Sequence, residues 1–379
     1  MIRSLDGIRV LELARYQAGP RGGMMMSDLG AEVIKIERIG GEDTRNNAPI
    51  MRGQSVYFSV YNRGKKSLCL DMRTDRGKAI FGELVKHADI VLENFRPGTM
   101  AAMGFDYEKL KAIKKDIILV SVSGFGQYGP YRERIAFDVL GQAMSGLMTL
   151  TGQPIGRPIG TAFSLVDRTT ALHATIGALA ALRHRDQTGE GQMIDCCLMD
   201  SALTMVEIPM SYYLGTGEEG GEPGRPPYPA RDGFVMISTP GRAMSNRLLE
   251  IVTGEPGGGV AAKADAATRR KLVDDWCAKH GMDEIVDIMT KAELPAAPVR
   301  TIPQVVADPH VWEREMMVKT DDPVCGEIHL PGVAVKMSAT PGQIGPVPTP
   351  GQHTDEILSH LLGYDAAALD ALRQAKVIA

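Results

Sequence analysis

Cysteine is scarce and scattered in this chain of 379 residues. The five cysteines, Cys69, Cys196, Cys197, Cys277 and Cys325, are odd in number and form no C-x-x-C pair, which argues against a disulfide framework or a structural zinc site and fits a reducing compartment. An excess of one charge is also missing: 42 Lys and Arg against 46 Asp and Glu leave a formal net charge of −4, so nucleic acid is not an expected partner. No apolar run reaches the roughly 18 residues a spanning helix needs, and no membrane association is expected. The opening "MIRSLDGIRVLELA" lacks the apolar core and small-residue cleavage site of a signal peptide, so a cytoplasmic location is expected. The eight histidines form no metal-ligand cluster; His353 and His360, two turns apart on one helix, read as surface or capping residues. No G-x-S-x-G elbow and no internal repeat occur.

What is present in the first half is an alternation of strand and helix signals. The runs "IRVLEL" (8–13), "EVIKIE" (32–37), "SLCLDM" (67–72), "DIVLENF" (89–95) and "DIILVSVSGF" (116–125) suit strands, with helical stretches at 20–30, 75–87 and 107–115 between them. Strands separated by helix-length segments imply βαβ units and a mainly parallel sheet, so the fold class is α/β. Ligands in such sheets gather beyond the carboxyl ends of the strands. Helices are expected at 137–151 and 167–187. The boundaries read as a large domain over 1–214, a Gly- and Pro-rich linker over 215–233, a smaller domain over 234–300, a second linker over 301–350, and C-terminal helices over 351–379 that return to the large domain. Thr354, followed by Asp355 and Glu356, is the expected cap of the first of those helices.

Three features invite a chemical reading. "GFGQYG" (124–129) spells a dinucleotide fingerprint after a strand, but Pro130 and a charged segment follow where a helix should open, and the acid that should bind a ribose is missing. A glycine-rich turn is the better reading. Basic residues recur at strand ends, among them Arg38, "NRGKKS" (62–67), Arg73 and Arg96; they are either solvated surface charges or contacts for a phosphate-bearing ligand. Finally, "FSLVDRTTALHATIGALAAL" (163–182) sets Asp167 ahead of Ala171, Leu172, Ile176, Leu179 and Leu182 at helical, core-facing spacing. The spacing on its own favours a helix N-cap, typically worth about 1 kcal/mol. Chemistry is compatible with that position, because a helix N-terminus favours the anion and an ionised carboxylate is the form that acts as a nucleophile.

The stretches "LDGIRVLELARYQAGP", "DLGAEVIKIERIGGEDTR", "NRGKKSLCLDMRTDRGK", "ADIVLENFRPGTMAAMGFDYEKL", "VSVSGFGQYGPY", "VDRTTALHATIGALAALRHRDQTGEGQ" and "GQHTDEIL", in this order, resemble the class III CoA-transferases, the family of formyl-CoA and carnitine CoA-transferases. The resemblance covers the first half almost continuously and the smaller domain weakly. It implies a CoA-transferase whose nucleophile is Asp167, acting on acyl-CoA and carboxylic acid substrates through an aspartyl anhydride and an aspartyl-CoA thioester. No permanently bound cofactor is implied. CoA contacts fall on Gln17, Arg38, Leu70, Asp71, Met72, Arg73, Asn94, Phe95, Arg96 and Met103. Ala102 stands where some members carry a basic residue, and Arg132 or Arg134 is the expected substitute. The family fold implies a large Rossmann-like domain and a smaller α/β domain joined by long linkers, in an interlocked homodimer; a heteromer with a related subunit is the alternative.

α-Methylacyl-CoA racemases are similar over the same stretches, but they place a histidine in a "GHD" triplet that reads "AFD" here, with Phe137 in its place. The glycine run of formyl-CoA transferases has no counterpart near "STPGR" (238–242), a candidate oxyanion turn, and the glycines at 257–259 follow a predicted helix. Oxalate specificity is therefore not expected, and a dicarboxylate donor such as succinyl-CoA is the separate expectation. Arg225, Arg231 and Arg242 are candidates to pair with its second carboxylate, or else exposed linker charges.

Overall fold

Three short sequences, "RVLE", "EVIKIE" and "IVLE", each end a buried strand with a glutamate, and they lie next to one another at the centre of the sheet that organises the chain. The computed structural model describes residues 2–220, 224 and 226–379, which divide into two compact units, 2–152 with 157–220 and 310–379, and 153–156 with 224 and 226–309.

In the first unit, strands β1 (Arg9–Glu12), β2 (Glu32–Glu37), β3 (Lys66–Cys69), β4 (Ile90–Glu93), β5 (Ile118–Ser123) and β6 (Met193–Cys197) form one sheet in the order β3-β2-β1-β4-β5-β6, every neighbouring pair parallel. The five strands expected from the first half are present, and β6 joins them from beyond the long helix. The strand order reverses between β1 and β4, so a crevice opens beyond their carboxyl ends, the place where parallel α/β sheets bind ligands. Apolar clusters cover both faces. One gathers Leu11, Ile34, Leu68, Phe81 and Val91 with the C-terminal Leu358, Leu372 and Ile378; the other gathers Val10, Val33, Ile90, Val120 and Val166. Each such side chain contributes about 1.5–3 kcal/mol on burial.

Helices α1 (Ala18–Asp28), α2 (Val56–Asn62), α3 (Asp138–Met144), α4 (Leu165–Thr188) and α5 (Glu207–Thr216) complete the parts of this unit that bear on function. The single helix expected at 137–151 is broken after Met144, because Gly146 adopts a left-handed φ of 86° before a second short helix, Leu147–Gly152. The expected inward stripe of α4 is also corrected. Ala171, Ala174, Ala178, Ala181 and Leu182 are buried, whereas Leu172, Ile176 and Leu179 face outward with 43%, 62% and 37% of their surface exposed. Small side chains let α4 approach the sheet and α1 closely, and Leu172, Ile176 and Leu179 fall on the opposite face.

The stretch 301–350, expected as a linker, carries helices Ile302–Ala307 and Pro309–Glu313 and a hairpin, Met317–Asp322 with Gly326–Pro331. Ile328 and Leu330 of that hairpin bury against Phe58 and Val347. The chain end is fastened to β3: Ser67 N–H donates to His353 Nδ1 at 3.1 Å and Asp71 N–H to the Val377 carbonyl at 2.8 Å. Residue His353, not Thr354, occupies the cap position of helix Thr354–Leu362; the Thr354 hydroxyl instead accepts the Cys69 N–H at 3.3 Å.

The second unit has a three-stranded antiparallel sheet (Tyr228–Ala230, Gly233–Ile237, Ala296–Pro298) whose first strand lies inside the expected 215–233 linker. Helices Arg242–Thr253, Ala266–Cys277 and Met282–Lys291 pack on it around Val235, Leu248, Val273 and Ile285.

Candidate active site

The loop after β1 is built on charges buried beneath it. Glu12, Lys35 and Lys65 are fully enclosed, with Lys65 Nζ 2.8 Å and Lys35 Nζ 3.2 Å from the Glu12 carboxylate. The spare N–H groups of both ammoniums hold the loop and the start of α1: Lys35 donates to the Ala14 carbonyl at 3.0 Å and Lys65 to the Pro20 carbonyl at 2.8 Å. Burial works against the charge on Lys35, but Glu12, Glu42 and Glu37 outweigh it and hold its pKa above the ordinary value. Burial wins at Lys65 and lowers its pKa to about 8. On the other side of the crevice Glu93 accepts the Phe95 N–H at 2.7 Å; burial raises its pKa to about 7 against the bonds from Ser121 and Phe95.

These two loops are stitched together. Arg15 N–H donates to Asn94 Oδ1 at 2.8 Å, and Asn94 Nδ2 donates to the Arg15 carbonyl at 2.6 Å. The next residue, Tyr16, takes a left-handed φ of 65°, a conformation that costs a non-glycine residue on the order of 1 kcal/mol and turns its ring into the crevice. Between the loops lies a cavity of about 430 Å3 lined by Arg15, Tyr16, Gln17, Asn94, Phe95, Arg96, Ser123, Arg134, Phe137 and Asp167. A second cavity, about 360 Å3, is lined by Tyr57, Asp138, Gln142, Thr161, Phe163 and Ser164, and it shares Tyr16, Phe137 and Asp167 with the first.

Asp167 is therefore the acid at which both cavities meet. It is not the helix cap: Ser164 holds that position without a side-chain bond, and Asp167 lies in the first turn of α4. Its backbone N–H is taken by Asp138 Oδ1 at 3.0 Å, so its own carboxylate is released from capping and accepts no hydrogen bond among the described residues. Asp138 is aligned in turn by Gln142, whose amide also donates to the Thr161 hydroxyl at 3.0 Å. Burial and then the Asp138 charge raise the Asp167 pKa to about 7, with the Arg168 charge opposing. The helix N-terminus favours the anion, but here it acts against enclosure and a like charge.

The other residues named from the sequence divide into groups. Gln17, Asn94, Phe95, Arg96 and Arg134 line the first cavity with Asp167. Arg134 stacks over the Tyr131 ring at 4.0 Å, while Arg132 is paired with Glu133 at 3.0 Å and is absent from the lining. Arg38 is drawn to Asp43, which also receives Arg15 at 3.9 Å. Leu70 is core; Asp71 binds Arg73 at 2.8 Å, and those bonds hold its carboxyl down at about 2 while Arg73 stays 88% exposed. Met72 and Met103 pack with Phe95 on the core cluster below. Arg15, Tyr16, Tyr57, Asp138 and Ser123 were not singled out from the sequence; the rule that loops after parallel strands carry the site would have found Arg15, Tyr16 and Ser123.

The turn of "GFGQYG" opens no helix; Gly126 N–H donates to Ser123 Oγ and Gln127 N–H to Asp195. "STPGR" leads into helix Arg242–Thr253 of the second unit, which also contains Arg231 and the exposed Arg242. Arg225 lies outside the described residues. Phe137 caps α3 through its backbone and meets Tyr16 edge-on at 6.2 Å; its ring carries no group that transfers a proton.

The profile of CoA-transferase family III matches residues 5–354. A succinyl-CoA–D-citramalate CoA-transferase from Chloroflexus aurantiacus is 35% identical, over 99% of this chain and 98% of its own. The beta subunit of a succinyl-CoA–L-malate CoA-transferase from the same organism is 34% identical, over 99% and 98%. Among solved structures, a CAIB/BAIF family protein from Brucella suis matches with a TM-score of 0.84 at 32% identity, covering 95% of this chain and 100% of that one.

Proposed function

This chain belongs to CoA-transferase family III and is a CoA-transferase, and from that premise we propose that it takes CoA from succinyl-CoA and passes it to a second carboxylic acid, with Asp167 as the covalent carrier. The observation that carries the reading is the Asp167 carboxylate, which accepts no hydrogen bond among the described residues and stands where two cavities join beside the switch-point crevice. One cavity, rich in arginine, suits the phosphates and thiol arm of CoA; the other suits an acyl group. The named relatives favour succinyl-CoA as donor, and their acceptors are themselves carboxylic acids.

In this mechanism an Asp167 oxygen attacks the thioester carbonyl, the C–S bond breaks, and CoA leaves as the thiolate beside a mixed anhydride. The thiolate attacks the aspartyl carbonyl, succinate departs as a carboxylate, and an aspartyl-CoA thioester remains. The acceptor carboxylate attacks that thioester and releases the thiolate again. Attack of the thiolate on the acceptor carbonyl then gives the new acyl-CoA and restores Asp167. No net proton moves and the thioester energy is conserved. Gln17, whose amide donates to the Ser164 carbonyl at 3.4 Å, lies beside the attacked carbonyl in this reading, and Arg15, Arg96 and Arg134 hold CoA phosphates.

A second copy of the chain completes the reading. Leu172, Ile176 and Leu179 form an exposed apolar stripe on α4, and α5 buries none of its residues, leaving Ile208 and Leu214 76% and 85% exposed. Such faces suit a homodimer, with pairing to a related subunit as the other outcome. Intact mass after mixing with succinyl-CoA tests the carrier: a gain equal to one covalently held CoA, absent in Asp167→Ala, is expected. No gain from any acyl-CoA, together with deuterium uptake at C2 of a branched acyl-CoA in heavy water, would make the protein a racemase.

A further inference from the structure

Helices α1 and α4 lie side by side and run in the same direction. Gln17 donates to the Ser164 carbonyl at the top of the seam, Gly22 faces Ala171 and Thr175, and the Thr175 hydroxyl reaches Met25 Sδ lower down. Between these contacts stand Arg21 and Arg168, each four residues beyond the Gln17–Ser164 bond. Neither guanidinium has an ion pair or hydrogen bond among the described residues, and the Nε of each is buried without a partner. Burial, with the Arg168 charge adding to it, lowers the Arg21 pKa against the pull of Tyr61 and Asp28. Asp28, whose charge acts on Arg21 without an ion pair between them, binds Arg63 through Oδ2 at 2.8 Å.

Two partly enclosed like charges that make no ion pair among the described residues destabilise a fold and suit an anion that arrives from outside. The surroundings say where it arrives. The Arg168 guanidinium lies 5.0 Å from the centre of the Phe163 ring, and Phe163 lines the second cavity with Asp167. Tyr61, beside Arg21, packs edge-on at 5.0 Å against Tyr57, which lines the same cavity. The two cations thus stand behind rings that line the cavity, Arg168 against Phe163 and Arg21 behind Tyr61 and Tyr57, whereas Arg15, Arg96 and Arg134 line the other cavity.

We propose that Arg168, backed by Arg21, receives the distal carboxylate of a dicarboxylic acyl group while the other end of that group reacts at Asp167. This rests on the carrier role of Asp167. A guanidinium fork matches two carboxylate oxygens. A monocarboxylic acyl chain of the same length leaves both arginines desolvated and unpaired, which is how a polar site rejects an analogue strongly. Arg168 is a candidate for this task additional to Arg231 and Arg242, which the sequence suggested and which belong to the second unit.

The test uses the full chain and needs no acceptor: the rate of covalent CoA attachment is measured with succinyl-CoA and with butyryl-CoA, which differ by a carboxylate against a methyl group. The wild type is expected to favour succinyl-CoA by about 100-fold or more. In Arg168→Gln that ratio falls at least tenfold, and Arg168→Lys recovers part of it. Because loss of Arg168 also alters Asp167 for every donor, only the ratio reports on the distal carboxylate. Equal slowing with both donors, or an unchanged ratio, overturns the proposal. Should Arg168→Gln fail to fold, Arg21→Gln and the discharge of the wild-type adduct by succinate against butyrate give the same comparison, and equal discharge rates overturn it. No adduct from either donor sinks the carrier role itself, whereas adducts formed equally fast from both sink the arginine assignment alone.

Discussion

The Asp138 carboxylate accepts the backbone N–H of Asp167 at 3.0 Å. One acid thereby caps the helix that carries another, and it frees the second carboxylate from the bond an acid at a helix start would ordinarily make. The same proximity places a negative charge beside the proposed carrier, so Asp138 both orients Asp167 and raises its pKa.

The first consequence is a pH profile. With a pKa of about 7 for Asp167, covalent CoA attachment should rise about tenfold per pH unit below pH 7 and level off above it. Asp138→Asn keeps an oxygen for the Asp167 N–H and removes the charge. Its midpoint should move below 7 yet stay above the ordinary 3.8, since burial is the larger cause. A midpoint that does not move would show that Asp138 acts through orientation alone.

Stability should follow the same linkage with the opposite sense for the fold. The folded chain keeps the Asp167 proton up to about pH 7, whereas an unfolded aspartate loses it near 3.8. Stability therefore declines as pH rises between those values, and the full penalty applies above 7. Asp167→Asn removes the penalty and should stabilise the protein by on the order of 1–3 kcal/mol at pH 8, with the difference vanishing toward pH 4. Urea midpoints at the two pH values check this; equal midpoints at pH 8 would contradict it.

Asn94→Ala deletes both bonds that join the two switch-point loops. At about 1 kcal/mol each, their loss should raise the KM for acyl-CoA by about tenfold or more. The effect on kcat should be smaller, because Asp167 is carried by a different element. A titration with CoA separates this from a loss of fold; unchanged CoA affinity would rule out the loops as its seat.

Two adjacent glycines of α1 should answer oppositely to alanine. At Gly23 a Cβ would fall 1.8 Å from Glu12 Oε2, on the buried charge cluster beneath the loop. At Gly22 it would meet Thr175 Oγ1 at 3.6 Å, an ordinary contact. Gly23→Ala should cost about 1–3 kcal/mol, and Gly22→Ala should gain about 0.5–1 kcal/mol from reduced chain entropy. Thermal melts of the pair decide it, and a shared direction of shift would contradict the packing described.

Strand pattern, helix spacing and ordered motifs carried much of this architecture in plain view. "EVIKIE" and "DIVLENF" alternate or run apolar because they are buried on both faces, so β2 and β4 were legible, as was the parallel sheet they imply. The resemblance named Asp167 and the loop residues Gln17, Asn94 and Arg96, which the fold brings to one cavity. The inward face of α4 was not legible. Helical periodicity says which residues share a face, and it cannot say whether the alanines or the leucines turn to the core; close packing against α1 and the sheet decided for the alanines.

The chemistry of Asp167 divides in the same way. Its sequence position fixed an acid at the start of a long helix, because local capping and dipole effects act over a few residues. Its freedom from capping depends on Asp138, its raised pKa on enclosure, and its flanking cations on Arg21 coming alongside Arg168. Those are distances between residues far apart in the chain. Coulomb and desolvation energies depend on such distances through space, which only the tertiary structure supplies.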